Sequence, residues 1–192
     1  MKIRTQFLAT LALVASASVG TALAADMMTG TKMHDPMVGG SAMYPSKTIV
    51  ANALNSKDHT TLVAAVKAAG LVATLNGPGP FTVFAPTNEA FDKLPKGTVA
   101  TLVKPANKAL LTKILTYHVI AGKLDTSAIG AKIAAGGGTA KLKTVEGESL
   151  VASMRGGKLV LTDAKGGMST VTIPDVYQSN GIIQVVNTVL MP

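Results

Sequence analysis

The chain has 192 residues, of which 47% are hydrophobic and 15% charged, with a net charge of +8 and no cysteine. This is too apolar for a disordered chain, which needs low hydrophobicity and high net charge. The lack of cysteine excludes disulfides, thiol nucleophiles, thiolate zinc sites and iron–sulfur clusters, so stability has to come from burial and backbone hydrogen bonds.

Residues 1–24 read as a secretory signal. Lys2 and Arg4 form a positive start, an apolar run extends from Phe7 through Val19, and Ala22-Leu23-Ala24 offers a small-x-small cleavage site. The run is shorter than the roughly 20 apolar residues of a membrane span, so no transmembrane span is expected in the mature chain. Residues 25–45 are expected to be a flexible, Met- and Gly-rich lead, since Gly30, Pro36, Gly39, Gly40 and Pro45 break it and no period is visible. A single domain is expected over residues 46–192.

Ile49, Val50 and Ala53 start a short apolar face. Asp58 is a candidate cap for a helix from His59 to about Ala69, with Leu62, Val63, Val66 and Ala69 at helical spacing and Gly70 as its stop. Leu71 to Leu75 form a short apolar segment closed by Gly77-Pro78-Gly79-Pro80. Phe81–Ala85 reads as a buried strand, ended by Pro86, and Thr87 can cap a short helix Asn88–Leu94. Pro105 opens a longer helix that runs toward Tyr117-His118, with Leu110, Leu111, Ile114 and Leu115 expected to face inward.

Strands follow: Thr139–Val145, Ser149–Met154, Lys158–Thr162, Ser169–Ile173 and Ile182–Leu190. Glu146-Gly147 and Gly156-Gly157 are hairpin turns by composition, and Asn180-Gly181 suggests a positive-φ turn. Helices first and hairpins second argue an α+β fold rather than a doubly wound parallel sheet.

Catalytic chemistry is not assembled anywhere in the pattern. The three histidines, His34, His59 and His118, share no ligand spacing on a helix, no serine sits in a nucleophile elbow, and the acidic residues fall at caps and turns. No enzyme activity and no cofactor are expected. The lysines are scattered and aromatic residues make up only 4%, so no nucleic-acid partner is expected either. One unusual cluster is Met27, Met28, Met33, His34, Met37 and Met43. Thioethers and imidazole are soft ligands suited to Cu(I), which makes copper binding the alternative reading of the lead. The other reading of these methionines is a tail with no metal role.

Three stretches resemble the fasciclin-type (FAS1) domain. Gly79–Phe91, with its strand turning through Ala85-Pro86-Thr87 into a capped helix, is similar to the first signature of that family. Ile114-Leu115-Thr116-Tyr117-His118-Val119 resembles its Tyr-His segment, and Asn180–Pro192 resembles its closing strand. The resemblance covers about Tyr44 to Pro192. It implies an α+β fold with a wedge-shaped β core of about seven strands and helices packed around it. It also implies adhesion or binding to a protein or glycan at the cell surface or matrix, periplasmic or extracellular after export.

By the same resemblance, Tyr117, His118 and the segment Pro174-Asp175-Val176 are the candidate partner-binding residues, with Val176 where relatives carry Ile. The residues themselves leave two readings open. Tyr117 and His118 are also ordinary core pieces at a helix end, and Pro174-Asp175 is also a turn. If Asp175 is a recognition residue, its truncation weakens attachment without unfolding the domain. The family often has His at the position of Gln184 and Asp at that of Asn187, so a titratable group is lost at each.

Overall fold

A computed structural model describes residues 35–192. Strand β1 (Met37–Val38) pairs antiparallel with β2 (Ser41–Ala42). This corrects the expectation of an unstructured lead through Pro45, because Val38 and Met43 are 2% and 1% exposed in the core. Two-residue strands are too short to show a period in sequence, so the burial of alternate apolar residues could not be seen there. The signal segment, residues 1–24, lies outside the described residues.

Helix α1 (Ile49–Ala53) is capped by Thr48, whose hydroxyl accepts from the Ala51 amide. A single 3₁₀ turn (Lys57–His59) leads into α2 (Thr60–Ala69), closed by Gly70 in the left-handed conformation. Asp58 does not cap this helix. Asn88, from a later element, does so instead: its side-chain oxygen accepts from the Thr61 amide at 3.0 Å, while its amide donates to the Lys57 carbonyl.

Next come α3 (Val72–Leu75), β3 (Phe81–Pro86) and α4 (Asn88–Asp92), the last capped by Thr87 as its sequence predicts. Helix α5 (Thr98–Leu102) precedes a 3₁₀ turn at Pro105–Asn107 and then α6 (Lys108–Tyr117). Leu111, Ile114 and Leu115 are buried on α6, but Leu110 is 50% exposed, which narrows the expected apolar face by one residue. Strand β4 (Val119–Ala121) is followed by α7 (Thr126–Ala135), capped by Asp125 through the Ala128 amide at 2.7 Å.

The remaining strands are β5 (Thr139–Lys143), β6 (Ser149–Arg155), β7 (Lys158–Thr162), β8 (Met168–Gln178) and β9 (Gly181–Val186). Gly156 and Gly157 both take positive φ, 54° and 74°, between the paired Arg155 and Lys158. That is the two-residue turn whose twist matches antiparallel strands.

The sheet order is β4-β3-β9-β8-β7-β6-β5, seven strands in all. Every pairing is antiparallel except β3 with β9. The Val145 amide, just past β5, donates to the Val119 carbonyl of β4 at 2.7 Å, so the two edges of the sheet nearly meet. A curled sheet of this kind has two apolar sides to fill. Phe84, Tyr117, Ile129, Leu150, Leu161 and Leu190 fill one cluster, with α7 against it. Leu62, Val66, Leu115, Val176, Ile183 and their neighbours form the other, beneath α1, α2 and α6. The architecture is α+β, a wedge-like seven-stranded core with helices around it.

Candidate functional site

Strand β8 carries two irregularities in its pairing with β9, between Val171 and Ile173 and between Ile173 and Val176. The second contains Pro174 and Asp175. Proline cannot donate to the ladder and is confined to such places. Asp175 has φ of +56°, a left-handed conformation that Asp tolerates better than most side chains. The bulge re-aims the strand. Val176 stays in the core at 0% exposure, while Tyr177 is turned outward at 39%.

The Asp175 carboxylate is tied into the fold. Its Oδ1 accepts from the Thr126 amide and from the Gln184 side-chain amide, both at 2.8 Å, and the Asp175 amide donates back to Gln184 Oε1 at 3.0 Å. Gln184 is fully buried, so this reciprocal pair supplies partners to a side chain that has no access to water. Tyr177 is held from outside the strand. Its hydroxyl donates to Asp125 Oδ2 at 3.4 Å, and the Lys123 ammonium stands 5.0 Å from the ring centre. Partial desolvation, followed by the neighbouring Asp125 and Asp175 carboxylates, raises the Tyr177 phenol above its usual range. The face therefore presents an anchored aromatic ring, one cation and two carboxylates.

Tyr117 and His118 lie elsewhere, in the interior. Tyr117 is 0% exposed. Its hydroxyl accepts from the Ala164 amide at 3.1 Å and points at the Ser149 carbonyl at 3.5 Å, and burial raises its pKa. His118 Nδ1–H donates to the Ile114 carbonyl at 2.8 Å, and its Nε2 accepts from the Leu190 amide at 3.0 Å. Burial pushes its pKa down to about 4. His118 and Val176 both line the same cavity beneath α1 and α2 rather than the surface. Burial thus takes Tyr117, His118 and Val176 out of direct reach of a macromolecular partner and leaves Pro174 and the edge of Asp175 at the surface.

Of the soft-ligand cluster, Met27, Met28, Met33 and His34 lie outside the described residues. Met37 is 51% exposed on β1, while Met43, just past β2, is 1% exposed in the core. Among the described residues, no group of three or more His, Asp or Glu side chains is placed to hold a metal ion, and no helix is long and apolar enough to cross a membrane.

Tyr177, Lys123 and Asp125 were not singled out as a surface in the sequence. Nothing in the sequence Val176-Tyr177-Gln178 marked which side chain faces out; the structure buries Val176 and Gln178 and exposes Tyr177. Asn180 is a second residue whose role is visible only in three dimensions. Its Oδ1 accepts from the Ile49 amide and its Nδ2 donates to the carbonyls of Leu75 and Gly77, clamping α1 and α3 to the start of β9.

The family model of the fasciclin domain matches residues 57–192. The chain belongs to the fasciclin-domain family. Among similar proteins is Protein sll1483 of Synechocystis sp., 41% identical over 172 residues, which span 90% of this chain and 87% of that protein. Cell surface glycolipoprotein MPB83 of Mycobacterium bovis is 35% identical, over 83% of this chain and 61% of its own. The transforming growth factor-beta-induced protein ig-h3 of Sus scrofa is 38% identical over 68% of this chain, which corresponds to 17% of that longer protein. The FAS1 domain pair of the insect cell adhesion molecule fasciclin I has the same fold, with a TM-score of 0.68 at 20% identity, over 77% of this chain and 52% of that one. The fasciclin domain is an adhesion-type module.

Proposed function

We propose that this fasciclin domain is an exported binding module that attaches to a protein or glycan of the cell envelope or surrounding matrix. The face around Pro174, Tyr177, Asp125 and Lys123 makes the contact. The observation that carries this reading is Tyr177, an outward aromatic side chain held in place by Asp125 and Lys123. A pre-ordered tyrosine loses little conformational entropy on binding and offers both apolar area and a hydroxyl, which is why such residues serve as anchors in recognition surfaces. Asp125 and Asp175 beside it suit the hydroxyl groups of a glycan or the amides of a protein. The signal read over residues 1–24 supports the exported location, as does a relative named as a cell surface glycolipoprotein.

Truncation of Asp175 is not the clean test that the sequence suggested, because its carboxylate also holds Thr126 and Gln184. Tyr177→Ala and Lys123→Ala remove surface groups only. The purified protein is titrated against envelope fragments, matrix proteins and glycans at two salt concentrations. Saturable, salt-tolerant binding that weakens tenfold or more in Tyr177→Ala, at unchanged Tm, is the expected result. Binding that disappears with salt in both proteins would assign it to non-specific attraction by the excess of basic residues. Equal affinity of the two proteins would remove this face from the site.

A further inference from the structure

Between α1, α2 and the β3–β9 pair lies a cavity of about 70 Å3. Its walls include Met43, Leu62, Val66, Leu115, Val176 and Ile183. Leu54, at 51% exposure, and the exposed Lys67 are the solvent-facing members of the lining, so the mouth lies at the α1–α2 end. Protein interiors are packed as densely as organic crystals, and voids larger than a water molecule are few. A void of this size therefore forgoes contacts that larger side chains at these positions would make.

The polar exceptions in the lining are Ser56, His118 and His59, apart from Lys67 at the mouth. Both ring nitrogens of His118 are occupied. His59 is different. It is 3% exposed, its Nδ1 sits 2.9 Å from Ser56 Oγ, and its Nε2 has no hydrogen-bond partner. Burial is the largest influence on the ring and lowers its pKa, opposed by the nearby Ala85 carbonyl and the Asp58 carboxylate.

We infer that this cavity binds an uncharged, slender, mainly aliphatic molecule whose single oxygen hydrogen-bonds to His59 Nε2. Leaving a buried ring nitrogen without a partner is unfavourable, and one ligand oxygen removes that deficit. A single water at Nε2 would satisfy the ring but leave the apolar remainder of the cavity empty, which an aliphatic occupant fills. A carboxylate fits worse, because the imidazole is held neutral and an unpaired charge in an apolar cavity is strongly disfavoured. The Ser56 hydroxyl rotates, so it can donate to Nδ1 or accept from it. Nε2 is then a donor or an acceptor in turn, and an alcohol and a ketone are equally suitable. Size sets the rest. An apolar cavity of about 150 Å3 admits benzene. Half that volume suits a chain rather than a ring, with its far end passing Leu54 at the mouth.

The test uses the full domain with 1-hexanol and n-pentane as probes, read by the methyl resonances of Leu62, Val66 and Ile183 and by the imidazole nitrogens of His59. Both probes are expected to shift the methyls saturably, and only 1-hexanol to shift Nε2. In His59→Leu, which removes the orphaned nitrogen without adding a polar group, 1-hexanol affinity drops fivefold or more while pentane binding persists. The inference is overturned by equal 1-hexanol affinity in the two proteins, by an Nε2 resonance that 1-hexanol leaves unmoved, or by methyls that respond to neither probe. Reading Nε2 in the unsubstituted protein makes the result independent of how well the variant folds. None of these readouts depends on Tyr177, so this site and the surface one succeed or fail separately.

Discussion

The Leu190 amide donates to His118 Nε2 at 3.0 Å across 72 residues of sequence, joining the end of α6 to the C-terminal segment. Because Nδ1–H already donates to Ile114, this arrangement requires the neutral ring. Protonating Nε2 would set two N–H groups against each other in a buried site. The folded-state pKa is about 4, below the ordinary value of 6.5. The unfolded chain therefore binds more protons between those two values, and stability rises with pH across them. The contribution is complete above pH 6.5 and is lost as pH falls toward 4; its full size is roughly 3 kcal/mol. His59 is shifted in the same direction by burial. Urea midpoints are expected to be level from pH 8 to 7 and to fall steadily from 6.5 to 4. His118→Gln should be less stable at pH 7 and show a shallower slope. A slope unchanged by that substitution would place the acid sensitivity elsewhere.

At Asp175, conformation and hydrogen bonding ask for the same residue types. Asn tolerates the left-handed backbone and keeps an oxygen for Thr126 and Gln184, so Asp175→Asn is expected to lie within about 1 kcal/mol of the parent. Asp175→Ala loses that acceptor, leaves the buried Gln184 amide unpaired and adds backbone strain. A loss of about 2–4 kcal/mol follows. Denaturant titration of both variants decides the matter, and similar losses in the two would mean that the charge, not the oxygen, is what the fold uses.

Tyr117→Phe isolates one hydroxyl in a fully buried ring. Packing is kept, while the Ala164 amide loses its acceptor in a partly buried setting. A loss of about 1–3 kcal/mol is expected, with no change in binding to any surface partner. If the variant bound envelope or matrix material less well at equal stability, Tyr117 would act in recognition despite its burial.

Local chemistry was legible in the sequence where one residue decides the backbone. Gly70, Thr87 and the Gly156-Gly157 pair do in the structure what their types predict. Features that depend on distant partners were not. Asn88 caps α2 from 27 residues away, and the parallel β3–β9 pairing joins strands about a hundred residues apart in the chain. Helix α7 escaped notice because its Ala- and Gly-rich run buries only Ile129 and Ile133, too few to mark a period. At the site, Pro174-Asp175 was visible through family resemblance, but the sign of each neighbour was not. One register position sends Val176 inward and Tyr177 outward, and only the bulge settles which.

Two glycines test how closely backbone approach controls the fold. Gly181 sits beside Phe81 where β9 starts its parallel pairing with β3, and an added Cβ would lie 2.0 Å from the Phe81 carbonyl oxygen. Its φ is not positive, contrary to the turn expected at Asn180-Gly181, so the constraint is space rather than conformation. That carbonyl belongs to a central strand and cannot move without breaking the ladder. Gly181→Ala is expected to cost about 3 kcal/mol, the upper end of what overfilling a well-packed interior typically costs. Gly130, inside α7, has nothing within 4 Å of an added Cβ and an ordinary helical backbone. Alanine is preferred over glycine in helix interiors, so Gly130→Ala should stabilise by about 0.5–1 kcal/mol. Thermal melts of the two variants should therefore move in opposite directions from the parent. A Gly181→Ala protein as stable as the parent would show that β3 and β9 can separate locally, and with them the clamp that Asn180 makes to α1 and α3.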